Sequence, residues 1–156
     1  MNVSPAGLHL IAGFEGYVPD WYNDGTGVQT IGYGHTGPLP AGYETPLTVD
    51  RALELLRADA QTAVAAVRAA VRVRLGVIPA RAQARFDALV CLTYNIGGGA
   101  FASSTLVREI NKQAAPRDWL PLGPYWLEWD QAGGRVLPGL LARRRDEFAI
   151  FTTGKY

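Results

Sequence analysis

Residues Phe14 to Gly37 read F-E-G-Y-V-P-D-W-Y-N-D-G-T-G-V-Q-T-I-G-Y-G-H-T-G, and the rest of the chain is best understood outward from them. The apolar stripe Leu8, Leu10, Ile11 and Phe14 stops at Gly16, so Glu15 falls where a helix is expected to end. A second carboxylate, Asp24, follows nine residues later in the Gly-rich turn Asn23-Asp24-Gly25-Thr26-Gly27. The hydroxyl of Thr30 comes six residues after that, on an expected strand. Two carboxylates on different elements, set in open glycine-lined backbone, suit acid/base cleavage of a polar polymer.

An unpaired carboxylate against the negative end of a helix dipole tends to hold its proton, which suits Glu15 to the acid role. Asp24, among small polar neighbours, suits the ionised partner. On spacing alone a plainer reading stays open, with Glu15 a surface carboxylate and Asp24 a turn former. Asp20, between Pro19 and Trp21, is a second candidate base.

Outward from this stretch, Ser4-Pro5 supplies a capping hydroxyl and a proline at the first helical position, which predicts a helix over 4–16. From 17 to 47 the composition shifts to Gly, Pro, Thr and Tyr, with short strands at Trp21-Tyr22 and 28–33. This β-rich lobe of roughly thirty residues is too small to be stable alone. A helical lobe is expected over 48–156. Thr48 caps a long helix with Leu53, Leu56, Ala60, Val64, Val67 and Val71 on one stripe, ending by Gly76 and Pro79. The alternation Val71-Arg72-Val73-Arg74 is not a helical pattern. Further helices are expected over 80–96, stopping at Gly97-Gly98-Gly99, and over 104–112, 118–130 and 138–151, with Pro121 breaking the one over 118–130. The fold class expected is α+β and predominantly helical, in a single domain of 156 residues.

Hydrophobic residues make up 48% and charged residues 19%, the balance of a globular chain. A formal net charge of +1 gives no reason to expect nucleic acid or a stable membrane association as partners. Arg143-Arg144-Arg145 reads as one solvated helix face. Cys91 is the only cysteine, which excludes an intrachain disulfide, and within A-L-V-C-L it reads as a small buried hydrophobe. Two histidines, His9 and His35, are too few to suggest a metal site, and no cofactor is expected. No signal peptide is visible and no run approaches the ~20 apolar residues that span a bilayer. The expectation is a chain with no export route of its own.

Other motifs admit more than one reading. Gly32-Tyr33-Gly34-His35-Thr36-Gly37 matches the dinucleotide-binding G-x-G-x-x-G, but Pro38-Leu39-Pro40 follows where a helix would have to open. His35 could polarise a substrate group or bind metal, against a hydrogen-bonded histidine at the seam between lobes. Trp119, Trp126 and Trp129 could stack on sugars, against core packing. Tyr94-Asn95, ahead of a glycine run, fit the lining of a cleft.

The order Glu15, eight residues, Asp24, five residues, Thr30 resembles the catalytic signature of the phage-type lysozymes (endolysins), glycoside hydrolase family 24. The likeness continues in T-I-G-Y-G-H (30–35), R-F-D-A-L-V (85–90), Y-N-I-G-G-G-A-F-A-S-S-T-L (94–106) and A-G-G-R-V-L-P-G-L (132–140), in family order and across nearly the whole chain. The resemblance implies a lysozyme-like fold and hydrolysis of the β-1,4 bond between N-acetylmuramic acid and N-acetylglucosamine in bacterial peptidoglycan. It implies Glu15 as proton donor, Asp24 as the group that activates water or steadies positive charge, and Thr30 as a holder of that water. It implies Arg135, in A-G-G-R, as the partner of the catalytic glutamate, and Thr36, Tyr94 and Ser104 at or near substrate, beside Asn95 as a substrate-binding candidate from its place ahead of the glycine run.

By the same resemblance the protein works as a monomer without cofactor, by single displacement with inversion, and waits in the cytoplasm for a holin to open the membrane. Carboxyl separations of ~6.5–9.5 Å mark inverting enzymes and ~5–5.5 Å retaining ones. Two alternatives stay open at this point. One is a lytic transglycosylase acting on the same bond, against which Asp24 argues. The other is a catalytically silent peptidoglycan-binding protein, against which the intact set Glu15, Asp24 and Thr30 argues.

Overall fold

The computed structural model describes residues 1–23, Gly25, 27–113 and 118–156. The chain forms α1 (Pro5–Glu15), β1 (Val18–Asn23), β2 (Gln29–Gly32), β3 (His35–Thr36), α2 (Val49–Ala70), α3 (Pro79–Ile96), α4 (Gly98–Ser103) and α5 (Thr105–Lys112). A 3-10 turn at Leu120–Leu122, α6 (Gly123–Leu127), β4 (Gln131–Ala132), β5 (Arg135–Val136) and α7 (Pro138–Thr153) complete it. This is the predominantly helical α+β architecture expected from the sequence.

α3 is the centre of the helical part. Every residue from Phe86 to Thr93 is buried, and α1, α2 and α7 pack around it. A helix apolar on all sides has no solvent face to present, so it must be surrounded. The three-stranded antiparallel sheet, in the order β1-β2-β3, rests on the N-terminal half of α2. Ile31 and Leu47 pack there on Ala52 and Leu55 as a small core separate from the main one. The β-rich segment is therefore stable only as a cover on α2.

The capping signals act as read. The Ser4 side chain accepts the Gly7 N–H and the Thr48 side chain the Arg51 N–H, opening α1 and α2. α2 ends at Ala70, six residues before Gly76, because Val71 turns extended and Asn111 of α5 takes over the backbone: its Nδ2 donates to the Ala70 carbonyl at 2.9 Å and its Oδ1 accepts from Arg72 N at 2.8 Å. The glycine run after α3 starts α4 instead of a loop. The expected helix over 118–130 is reduced to the 3-10 turn and α6 by Pro121 and Pro124. The β4–β5 hairpin was not expected. Its turn, Gly133-Gly134, has φ of 59° and 74°, the left-handed pair that a two-residue hairpin turn requires.

Asp87, fully buried on α3, ties both chain ends to the core. Its carboxylate accepts from Ser4 N at 3.0 Å, Ser4 Oγ at 2.6 Å, Gln83 Nε2 at 3.0 Å and the Tyr156 hydroxyl. Gly7 packs directly on this group, and a Cβ there would lie 2.5 Å from Asp87 Cγ. Helix propensity favours alanine over glycine by about 1 kcal/mol. Asp87 cannot retreat without loosening four hydrogen bonds, so the clash wins. Gly7→Ala is expected to destabilise the fold by about 1–2 kcal/mol net, read as a lower urea midpoint at unchanged slope; a raised midpoint would refute the close packing.

Candidate active site

Glu15 is the last residue of α1, and its carboxylate is about one-quarter exposed. It is not unpaired. Arg143 of α7 donates from Nη1 to Glu15 Oε1 at 2.9 Å, and its guanidinium lies over the Phe14 ring at 4.8 Å from the centroid. Among the described residues Glu15 Oε2 has no hydrogen-bond partner. Glu15 thus offers one oxygen that is anchored and one that no described residue engages.

Behind this pair lies a buried relay of charge. Arg143 Nε donates to Glu147 Oε1 at 3.0 Å and Arg143 Nη2 to the Cys91 carbonyl at 3.4 Å. The Glu147 carboxylate also accepts from Arg144 Nη2 at 3.0 Å, Cys91 Sγ at 3.3 Å and Trp126 Nε1 at 3.3 Å. Arg144 Nε lies 2.9 Å from Glu147 Oε2 as an ion-pair contact without an aligned N–H, and Arg144 Nη2 reaches Asn95 Oδ1 at 2.9 Å. The formal charges alternate along Glu15, Arg143, Glu147 and Arg144 and cancel. Burial pushes Glu147 toward its neutral form and Arg144 likewise, each opposed by the other's charge. For Arg143 the burial penalty is outweighed by neighbouring negative groups, Glu147 and Glu15 among them.

Tyr94 of α3 stands within electrostatic reach of the same site. Burial raises its phenol above the ordinary range, and the negative charges of Asp59 and Glu15 raise it further against the pull of Arg143. At neutral pH it is a neutral hydroxyl. Asp59, on α2, receives His35 Nδ1 at 2.9 Å across the seam between sheet and helices. The seam reading of His35 is the one observed.

The other expected residues fall as follows. Thr30 is buried on β2, its hydroxyl 3.3 Å from the Val28 carbonyl, and it sits opposite the exposed Thr36 of β3. Asp24 lies outside the described residues; before it, Asn23 Oδ1 accepts the N–H groups of Gly25 and Gly27 at 3.0 and 3.1 Å and shapes the turn. Asn95 is exposed and holds Arg144.

Two expectations are corrected. Arg135 is exposed on β5 and does not meet Glu15; Arg143, eight residues on, does. Ser104 is buried, and its hydroxyl is committed to backbone, donating to the Phe101 carbonyl at 2.7 Å and accepting from Val107 N at 3.1 Å as the cap of α5. The solvated-face reading of Arg143-Arg144-Arg145 fails with them, since only Arg145 is exposed. The signal was present: Glu147 stands four and three residues after the two buried arginines, on one helix face. Trp119 and Trp126 are buried and Trp129 packs against the core, in line with their packing reading. Among the described residues no group of three His, Cys, Asp or Glu side chains could hold a metal ion, and no helix is long and apolar enough to cross a membrane.

The phage lysozyme family model matches residues 12–147. An endolysin of Bacillus phage B103 is 36% identical over 99% of this chain, and the chain spans 56% of that relative's length. A crystal structure of P22 lysozyme superposes with a TM-score of 0.81 at 34% identity, covering 97% of this chain and 98% of that one. The muramidase domain of SpmX from Asticaccaulis excentricus superposes with a TM-score of 0.79 at 33% identity, covering 96% and 97%.

Burial raises the Cys91 thiol well above its ordinary value, and the adjacent Glu147 carboxylate adds to this. The thiolate is the reactive form, so a thiol held protonated and out of solvent is inert. Iodoacetamide at pH 8 is expected to leave the native protein unlabelled for hours and to label it fully in denaturant. Rapid labelling of the native protein would show that the interior around Glu147 opens.

Proposed function

Because the chain belongs to the phage lysozyme family, we propose that it hydrolyses the β-1,4 bond between N-acetylmuramic acid and N-acetylglucosamine in bacterial peptidoglycan. The observation that carries the reading is Glu15 at the end of α1, with one oxygen fixed by Arg143 and the other without a partner among the described residues. Glycoside cleavage needs a carboxyl held still against the leaving oxygen. Arg143 fixes the orientation, and Oε2 delivers the proton.

Asp24 is the proposed second carboxylate, activating water on the opposite face of the sugar, with Thr30 holding that water. The short β2–β3 hairpin sets Thr36 across from Thr30, where it is suited to contact the glycan. Tyr94, electrostatically linked to Glu15, is the proposed aromatic on the helical side of the cleft. The proposed course is single displacement with inversion, by a monomer. The relatives named endolysins support a role in lysis, with the enzyme reaching the wall after a holin opens the membrane.

Digestion of purified peptidoglycan, with the fragments weighed by mass spectrometry, tests this. Wild type is expected to release fragments with reducing muramic-acid ends. Glu15→Gln and Asp24→Asn are each expected to lose activity by roughly 10²–10⁴-fold, the range for removing a general acid or base. Fragments lighter by one water would make the protein a transglycosylase and remove the role of Asp24. Binding to the wall without cleavage would make it a binding module.

A further inference from the structure

We propose that Glu147 is a positioning residue for catalysis, acting through Arg143 on Glu15. The inference rests on the muramidase reading and extends it to a side chain with no access to substrate. Glu147 is fully buried, yet it is met by Arg143 Nε at 3.0 Å, Arg144 Nη2 at 3.0 Å, Cys91 Sγ at 3.3 Å and Trp126 Nε1 at 3.3 Å. A carboxylate so placed has no role in solubility, and an apolar residue of similar volume would serve packing as well.

Its effect is on direction. A guanidinium is a rigid plane with five donors, so gripping Nε from behind fixes where Nη1 points. Arg143 is held at Nε by Glu147, at Nη2 by the Cys91 carbonyl at 3.4 Å and on its face by Phe14 at 4.8 Å. The remaining nitrogen, Nη1, is then aimed at Glu15 Oε1 at 2.9 Å. Without Glu147, Arg143 is free to turn its fork about the long side chain, and Glu15 loses its fixed rotamer. Cys91 and Trp126 bring α3 and α6 into the same grip, so the catalytic carboxyl of α1 is registered against three other helices.

The test is a double-mutant cycle on kcat, with KM measured alongside, using soluble peptidoglycan oligomers and activities scaled to the folded fraction seen by circular dichroism. Glu147→Gln is expected to lower kcat about ten-fold with KM changed less than about two-fold, as a misplaced rather than missing acid should. Arg143→Lys, which cannot be gripped at Nε, is expected to lower kcat at least as far. Adding Glu147→Gln to Arg143→Lys should then lower kcat no further. Multiplying losses, or wild-type kcat in Glu147→Gln, would overturn the proposal.

If Glu147→Gln does not fold, the wild-type protein decides. The Arg143 Nε–H proton, assigned by its loss in Arg143→Lys, is expected to give a sharp NMR signal in slow exchange with water. A fast-exchanging signal would overturn the grip. Absence of cleavage by wild type would remove the muramidase reading and this role with it, whereas wild-type cleavage with either contrary result above removes this role alone.

Discussion

A carboxylate with no contact to water is the constraint on which the helical part of this protein depends. Moving such a group out of water carries an effective penalty of several kcal/mol even after relaxation. Glu147 is therefore tolerable only where donors converge on it, and the donors come from α7 itself, from Cys91 on α3 and from Trp126 on α6. Each of those contacts also restricts a helix. α6 is only five residues long, broken off by prolines from the helix it might have been, and Trp126 anchors it to α7 through both the indole N–H and ring contacts with Phe148 and Phe151. Such a network is weak evidence for extra stability, because apolar residues could fill the space as well. Its value lies in permitting few arrangements.

The sheet is attached on a different principle. Its own core is Ile31, Leu47, Ala52 and Leu55, half of it contributed by α2. Apolar burial holds the sheet down but is not directional. The polar contacts supply direction: Leu47 N donates to the Pro19 carbonyl at 2.8 Å, the Tyr17 hydroxyl donates to the Leu47 carbonyl, and His35 reaches Asp59. Tyr94 is electrostatically coupled to both Asp59 and Glu15, so the seam and the candidate acid share one neighbourhood. The lobes meet where the chemistry is proposed.

Much of this was legible in the chain. Ser4-Pro5, Thr48 and the Gly16 stop act through the local backbone, so their reading did not depend on tertiary contacts. The prolines at 121 and 124 broke a helix for the same local reason. What escaped depends on partners far along the chain. α2 stops at Ala70 because Asn111 waits there, 41 residues away. The exposed Arg135 and the buried Arg143 are equally basic in sequence; only the turn of β4–β5 and the start of α7 after Leu137 decide which one reaches α1. Glu147, at the spacing that pairs with Arg143 and Arg144, marked the run as something other than a solvated face, because three arginines on a solvated face need no carboxylate beneath them.

The position of Glu15 explains why the fold supplies an arginine from so far away. The last turn of a helix presents unpaired carbonyl oxygens and the negative end of the dipole, so an anionic side chain there is repelled by its own helix. α1 has no basic residue in its last turn to offset this. Arg143 is 128 residues distant and brings both a positive charge and an aromatic contact with Phe14, the neighbour of Glu15. A flexible, solvent-exposed lysine could have supplied the charge, but not a fixed direction. A buried arginine supplies both only if its other donors are satisfied inside the protein, and that requirement leads directly to Glu147. The interior carboxylate and the candidate acid are thus two ends of a single requirement: to hold a carboxyl group in one orientation at the end of α1.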